Sequence, residues 1–235
     1  MPKAKSEFLE FVRLVVKGEI EHVSLRVAAD PSLATASSEL GATREEATPF
    51  FREIAHYLYG GDTALHLAAA AFQRPIAELL VAHGANCRAK NRRGAEPLHY
   101  AADANHWNPQ AQAETIEYLL SAGADPHALD NSGVAPLHRA VRTRSLPAVR
   151  ALLDGGANPR APNKTGSTPL HLAVQTTGRG GSGSEHARRQ QEGIIQLLLE
   201  RGAKPSDKDG RGKQVRQAAT SDRIRDLLGG KSGGQ

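Results

Sequence analysis

Apolar and polar positions along this chain fall into short, helix-length blocks instead of one long periodic run. The apolar stretch Phe8 to Val16 is interrupted by Glu10 and Arg13, which predicts an amphipathic helix from Glu7 to about Lys17, with Ser6 at its start and Gly18 at its end. A second helix is expected from Glu19 to about Ala29, ended by Asp30-Pro31. Ser32 to Thr48 is small, polar and without period, and reads as a loop. From residue 61 onward the blocks come in pairs. A short alanine-rich block (Ala68 to Ala71, or Ala101-Ala102) precedes one with larger apolar residues at helical spacing (Ile76, Leu79, Leu80, or Ile116, Leu119, Leu120).

The paired blocks are marked by a repeated phrase. Leu65-His66, Leu98-His99, Leu137-His138 and Leu170-His171 place successive histidines 33, 39 and 33 residues apart. A glycine precedes each pair (Gly61, Gly94, Gly133, Gly166), and each second block ends in Gly-Ala (Gly84-Ala85, Gly123-Ala124, Gly156-Ala157, Gly202-Ala203). The residue types suit the positions. Pro169 in a first helical turn sacrifices no hydrogen bond, because that N–H has no intrahelical partner. Thr168 before it can cap the helix, and a glycine after the last turn takes the left-handed conformation that ends a helix. No single unit of this kind buries its own apolar face, so stability must come from stacking on neighbours.

The period and the phrase Thr168-Pro169-Leu170-His171-x-Ala173 resemble the ankyrin repeat, over roughly Gly61 to Leu228. The resemblance implies an all-α solenoid of stacked helix-turn-helix units with hairpin-like loops, and a binding role in place of catalysis. It also implies that the phrase histidines are structural hydrogen-bonding residues. Three positions depart from the family pattern: Ala64 replaces Pro, and Glu96 and Ala135 replace Thr.

On this reading residues 1–60 form an N-terminal capping helix pair plus an aromatic-rich connecting segment. Residues 61–209 form four repeats, 210–228 a degenerate C-terminal capping repeat with Val215, Ala218, Ile224, Leu227 and Leu228 as its apolar face, and 229–235 a frayed tail. The connecting segment from Pro49 to Tyr59 holds Phe50, Phe51, Tyr57 and Tyr59, and is expected to be a short helix covering the first repeat or else a binding surface. Repeats two and four carry insertions between their two helices. The first holds His106 and Trp107; the second, within Gln175 to Gly193, holds Arg179 in a glycine-rich run. With Arg142 and Arg144 of repeat three between them, the two insertions are expected either to meet as one aromatic and cationic surface or to be independent loops.

Charge changes the picture more than its total of +5. Residues 1–60 carry 7 basic and 9 acidic side chains, residues 61–133 carry 5 and 8, and residues 134–235 carry 18 and 8. A basic C-terminal half can steer an acidic partner by long-range attraction. Nucleic acid is disfavoured, because no aromatic residues interleave with the basic ones after Tyr118. The single Cys87 allows no internal disulfide, and no stretch approaches 18 apolar residues, so a cytoplasmic protein with no membrane contact is expected.

Several constellations invite chemistry and do not support it. The phrase histidines would stand roughly 10 Å apart in a stack, too far to share a metal that is ligated at about 2 Å. Gly178 to Ser184 has the composition of a phosphate loop without its Gly-Lys-Ser/Thr ending. No base is evident for Cys87. No catalytic residue, cofactor or metal is therefore expected, and the oligomeric state is left open. The resemblance points to a protein partner met by hairpin tips and first-helix positions: Tyr59, Asp62, Arg92, Arg93, Asn131, Ser132, Lys164 and Thr165 at the tips; Asp103, Arg142, Thr143, Arg144 and Gln175 on the helices; Trp107 and Arg179 in the insertions. The rival readings are a small-molecule or enzymatic site built by the insertions and the aromatic segment, and a basic surface for nucleic acid.

Overall fold

A computed structural model describes residues 3–39, 41, 50–103, 108–175 and 183–229 of the chain. Two rows of helices stack side by side. The inner row is α1 (Lys3–Lys17), α4 (Ala64–Ala70), α6 (Pro97–Ala101), α8 (Pro136–Thr143), α10 (Pro169–Ala173) and α12 (Val215–Ala218). The outer row is α2 (Ile20–Ala29), α5 (Arg74–Ala82), α7 (Pro109–Ser121), α9 (Leu146–Asp154), α11 (Glu185–Glu200) and α13 (Asp222–Leu227). Each helix packs on the next in its own row. After α1 the inner helices are short, and α4 is rich in alanine, so backbones approach closely there; every residue of α4 is buried. One apolar core runs the length of the stack from Phe8 to Leu228, and each fully buried leucine in it, such as Leu98 or Leu152, contributes about 1.5–3 kcal/mol.

Two ladders tie the repeats together. In the first, each phrase histidine accepts at Nδ1 the backbone N–H three residues earlier: Thr63 for His66, Glu96 for His99, Ala135 for His138 and Thr168 for His171, at 3.1 to 3.2 Å. An Nδ1 that accepts carries no proton, so the hydrogen sits on Nε2. Nε2 donates to a carbonyl of the following repeat: Ala95, Val134, Ser167 and Lys213 in turn, at 3.0 to 3.2 Å. The phrase histidines are thus structural hydrogen-bonding residues, as the resemblance implies, each closing its own first turn and binding the next unit.

The second ladder is at the hairpin tips. Asn91, Asp130, Asn163 and Asp209 each accept two backbone N–H groups at Oδ1, from the residues two and four further on. Neighbouring tips then join through Arg92 N–H to Gly60, Asn131 N–H to Arg93 and Gly210 N–H to Thr165. Gly94 shows why the tips keep glycine. Its φ is +69°, and a Cβ there would lie 2.5 Å from Asn131 Oδ1, so any side chain meets both strain and the next tip.

Three local expectations are corrected. α1 begins at Lys3, not Glu7, and α2 at Ile20. Ser32–Thr35, expected as loop, forms the short helix α3, whose start is held by Asp30 Oδ1 accepting the Ser32 N–H at 3.0 Å. The aromatic segment is not a helix. β1 (Phe50–Phe51) pairs antiparallel with β2 (His56–Tyr57) around a 3-10 turn, Arg52–Ile54, and Ala55 takes a left-handed φ of 47° to return the chain. Phe51, Ile54 and Leu58 are buried, a spacing that a helix would also give. Cross-strand packing of Phe50 on Tyr57, 4.7 Å between ring centres, favours the paired strands instead.

Candidate functional site

The β1–β2 hairpin stands beside the tips of the next two repeats, and between them lies a cavity of about 290 Å³. His56, Tyr57 and Tyr59 form one wall, Arg93 and Ser132 come from two successive tips, Asp103 follows the end of α6, and Arg139 and Arg142 come from the middle and last turn of α8. Three repeats thus supply it.

Its floor is a closed polar network. Asp62 is completely buried; its Oδ1 accepts the Tyr100 hydroxyl at 2.7 Å and Asn91 Nδ2 at 2.8 Å, and its Oδ2 accepts the Tyr59 N–H at 2.7 Å. Burial, with the Asp62 carboxylate adding to it, pushes the Tyr100 phenol well above its ordinary pKa, so the hydroxyl stays a donor. The His56 ring lies 4.6 Å from the Tyr100 ring. Its Nδ1–H donates to the Tyr57 carbonyl at 2.7 Å, which leaves Nε2 an acceptor. Burial lowers the His56 pKa, so the ring is neutral.

The second wall is a chain of four charged side chains. Arg139 reaches Asp130 Oδ2 at 2.8 Å and Asp103 Oδ2 at 3.3 Å, and Arg142 reaches Asp103 Oδ1 at 3.4 Å. Burial by itself would raise the Asp130 pKa. The Arg139 guanidinium and the amides of Val134 and Ser132 outweigh it and hold the carboxyl below its usual value. At the mouth, the guanidinium carbons of Arg93 and Arg92 lie 4.9 and 5.6 Å from the centre of the Tyr59 ring, within cation–π range.

Of the residues singled out from the sequence, Tyr59, Arg93, Asp103, Ser132 and Arg142 meet at this cavity, with Arg92 beside Tyr59. Asp62 sits beneath it, buried, where it orders neighbours and touches no solvent. Thr143 turns back onto the Arg139 and Ala140 carbonyls. Asn131, Lys164 and Thr165 form a separate line along the tips: Lys164 Nζ donates to the Asn131 carbonyl, and the Thr165 hydroxyl to Asn163 Oδ1. Arg144, with a left-handed φ of 59°, donates to the Gln175 carbonyl at 3.3 Å. Repeat three thus holds the bases of both insertions, Asp103 through Arg139 and Arg142, and Gln175 through Arg144. Trp107 and Arg179 lie outside the described residues, and so does the expected meeting of the two insertions.

Sequence reasoning missed His56, Tyr100, Asp130 and Arg139. A signal existed for two of them. The residue after each phrase histidine is Leu67, Tyr100, Arg139 and Leu172, so a phenol and a guanidinium stand where repeats one and four carry leucine. Elsewhere, burial raises the Cys87 thiol pKa, which opposes thiolate formation. Among the described residues no three His, Cys, Asp or Glu side chains are placed to hold a metal, and no helix is long and apolar enough to cross a membrane.

Comparison with known proteins agrees with this architecture. The family model described as ankyrin repeats (3 copies) matches residues 44–130 and 108–209. Over 81 residues, 34% of its length, the chain is 40% identical to the E3 ubiquitin-protein ligase KEG of Arabidopsis thaliana, covering 5% of that protein. Over 74 residues, 32% of its length, it is 32% identical to the putative ankyrin repeat protein L271 of Acanthamoeba polyphaga mimivirus, covering 9% of it. The chain therefore spans under a tenth of either relative. The family match runs over most of the stack and includes all four histidine phrases, so the chain belongs to the ankyrin-repeat family.

Proposed function

We propose that this chain is a protein-binding module and not an enzyme, built as an N-terminal cap (residues 1–60), four repeats (61–209) and a C-terminal cap (210–228). It holds a segment of a partner protein against the hairpin tips and inner-helix ends of repeats one to three. Ankyrin repeats in general serve protein–protein interaction, which sets the class. The observation that carries the location is the cavity, where exposed Arg93, Ser132 and Arg142 from separate repeats converge beside Tyr59. The floor beneath them is already ordered, so little conformational freedom is lost on binding.

The basic C-terminal half supports an acidic partner. Several of its arginines are occupied, as in Arg160 with Asp207, Arg201 with Asp154 and Arg223 with Glu192. Such pairing leaves a mixed surface and weighs against nucleic acid. The ligase activity in one relative's name belongs to that protein, of which this chain matches a twentieth. The test is affinity capture from the source cell, followed by mass spectrometry, with the wild type and a Tyr59→Ala, Arg142→Glu double variant. A protein held stoichiometrically by the wild type and lost by the variant is expected. Recovery of nucleic acid, or of the same protein equally by both, would overturn the reading.

A further inference from the structure

The hydrogen-bonding state of the cavity specifies what it can receive. Its carboxylates are occupied: Asp130 Oδ1 takes two backbone N–H groups and Oδ2 takes Arg139, while Asp103 takes Arg139 and Arg142 on its two oxygens. Its donors are in surplus. A guanidinium offers five N–H groups. Arg142, 61% exposed at its side chain, has one contact at 3.4 Å. Arg93 makes no ion pair among the described residues, yet is held in place on the Tyr59 ring. The two carboxylates that line the cavity, Asp103 and Asp130, are paired with Arg139 and Arg142, and the Asp62 carboxylate beneath is closed off by Tyr100, Asn91 and Tyr59, so Arg93 is the lining guanidinium without a carboxylate, and it is at the mouth.

We propose that the cavity anchors a single carboxylate side chain, an aspartate or glutamate, of the bound partner segment, with Arg93 as its counter-ion. This rests on the protein-binding reading and adds the chemistry of the anchor. One surplus guanidinium matches a monoanion, and Arg93, already positioned by Tyr59, can present its fork to both carboxylate oxygens. Arg142 and the exposed Ser132 hydroxyl stand at the same mouth to supply further donors. His56 adds a reserve. Among the described residues its Nε2 meets no hydrogen-bond partner, and a carboxylate arriving nearby favours a proton there. The groups that face this ring are the Tyr100 and Tyr59 rings, His66, the carboxylates of Asp62 and Asp103, and the Arg139 guanidinium. A phosphorylated residue, with close to two negative charges, is the poorer match.

The experiment is an NMR titration of the full chain with three probes at constant ionic strength: N-acetyl-glutamate α-amide, its neutral isostere N-acetyl-glutamine α-amide, and phenyl phosphate. Saturable shifts at the Arg93 Nε–H, the Ser132 amide and the His56 ring are expected with the glutamate probe. The glutamine probe should give none, and Arg93→Gln should weaken the response by about tenfold or more, the scale of a charge-assisted hydrogen bond. Equal response to glutamine, no saturable shift with glutamate, tighter binding of phenyl phosphate, or an unchanged response in Arg93→Gln would each overturn the proposal. The titration needs no partner, so its failure is separable from failure of the affinity capture.

Discussion

His99 donates from Nε2 to the carbonyl oxygen of Val134, 3.0 Å away and 35 residues further along the chain. The same ring accepts the Glu96 N–H at Nδ1, which requires it to be neutral, and the same requirement recurs at His66 and His138. A proton on Nδ1 would turn an acceptor against the Glu96 N–H and place a charge in an apolar stack.

Acid lability follows from that ladder. Burial holds His66, His99 and His138 below the ordinary value of 6.5, and with Arg139 nearby His99 falls to about 4. As pH drops below about 6.5 the unfolded chain takes up protons that the folded chain refuses, so stability that is complete above about 7 is lost between about 6.5 and 4. Melting followed by circular dichroism from neutral pH downward should show the transition temperature falling across that window. A flat profile would mean that the buried rings do not hold their neutral state.

Leu137 is 1% exposed, inside the inner row next to His138. Leu137→Ala should cost about 2–5 kcal/mol by loss of burial and creation of a cavity. Since each repeat leans on the next, amide exchange should quicken in repeats two and four as well as three. A loss under about 1 kcal/mol, or exchange confined to repeat three, would contradict the stacking energetics.

Tyr100→Phe removes one of the donors that hold the buried Asp62. Asn91 and the Tyr59 amide remain, so the expected cost is about 1–3 kcal/mol, that of a buried acceptor losing one bond. Urea denaturation measures it. An unchanged midpoint would show that water or a shift of Asn91 replaces the hydroxyl.

The stack was legible in the sequence because each phrase residue acts locally. The histidine closes its own first turn, the Asx residue closes its own tip, and glycine permits the left-handed backbone between them. The Phe50–Tyr57 hairpin was not, because Phe51, Ile54 and Leu58 are spaced as a helix stripe while the pairing that decides the fold is across strands. Half of the cavity was legible for the related reason that tips and helix ends are fixed by the repeat. The other half is built by Tyr100 reaching Asp62 across 38 positions and Arg139 reaching Asp103 across 36, distances at which no local pattern operates.

Reversing Arg92, Arg93 and Lys164 to Glu should weaken binding of the captured partner at low salt and leave the melting temperature nearly unchanged, since all three side chains are exposed. Isothermal titration at two salt concentrations reads the effect, and equal affinity at low salt would remove the tips from the interface.

Arg139 occupies a phrase position where Leu67 and Leu172 stand in repeats one and four, so Arg139→Leu looks like a return to the pattern. It should instead destabilise the fold. Arg139 and Asp130 expose only 9% and 7% of their side chains, and removing the guanidinium leaves a buried carboxylate without its counter-ion, at a cost of about 3–5 kcal/mol. Asp103, 18% exposed, retains Arg142 and suffers less. The remedy is specific. Asn91 and Asn163 perform the same turn as Asp130 with an amide oxygen, so adding Asp130→Asn to Arg139→Leu keeps both backbone hydrogen bonds and deletes the stranded charge. The double variant should therefore recover most of the lost stability, and the single variant should lose less in acid than at neutral pH, because Asp130 without Arg139 can protonate there. A double-mutant cycle by urea denaturation at two pH values tests both statements. If the double variant is no more stable than Arg139→Leu, the destabilisation comes from lost packing of the arginine stem and not from the unpaired carboxylate.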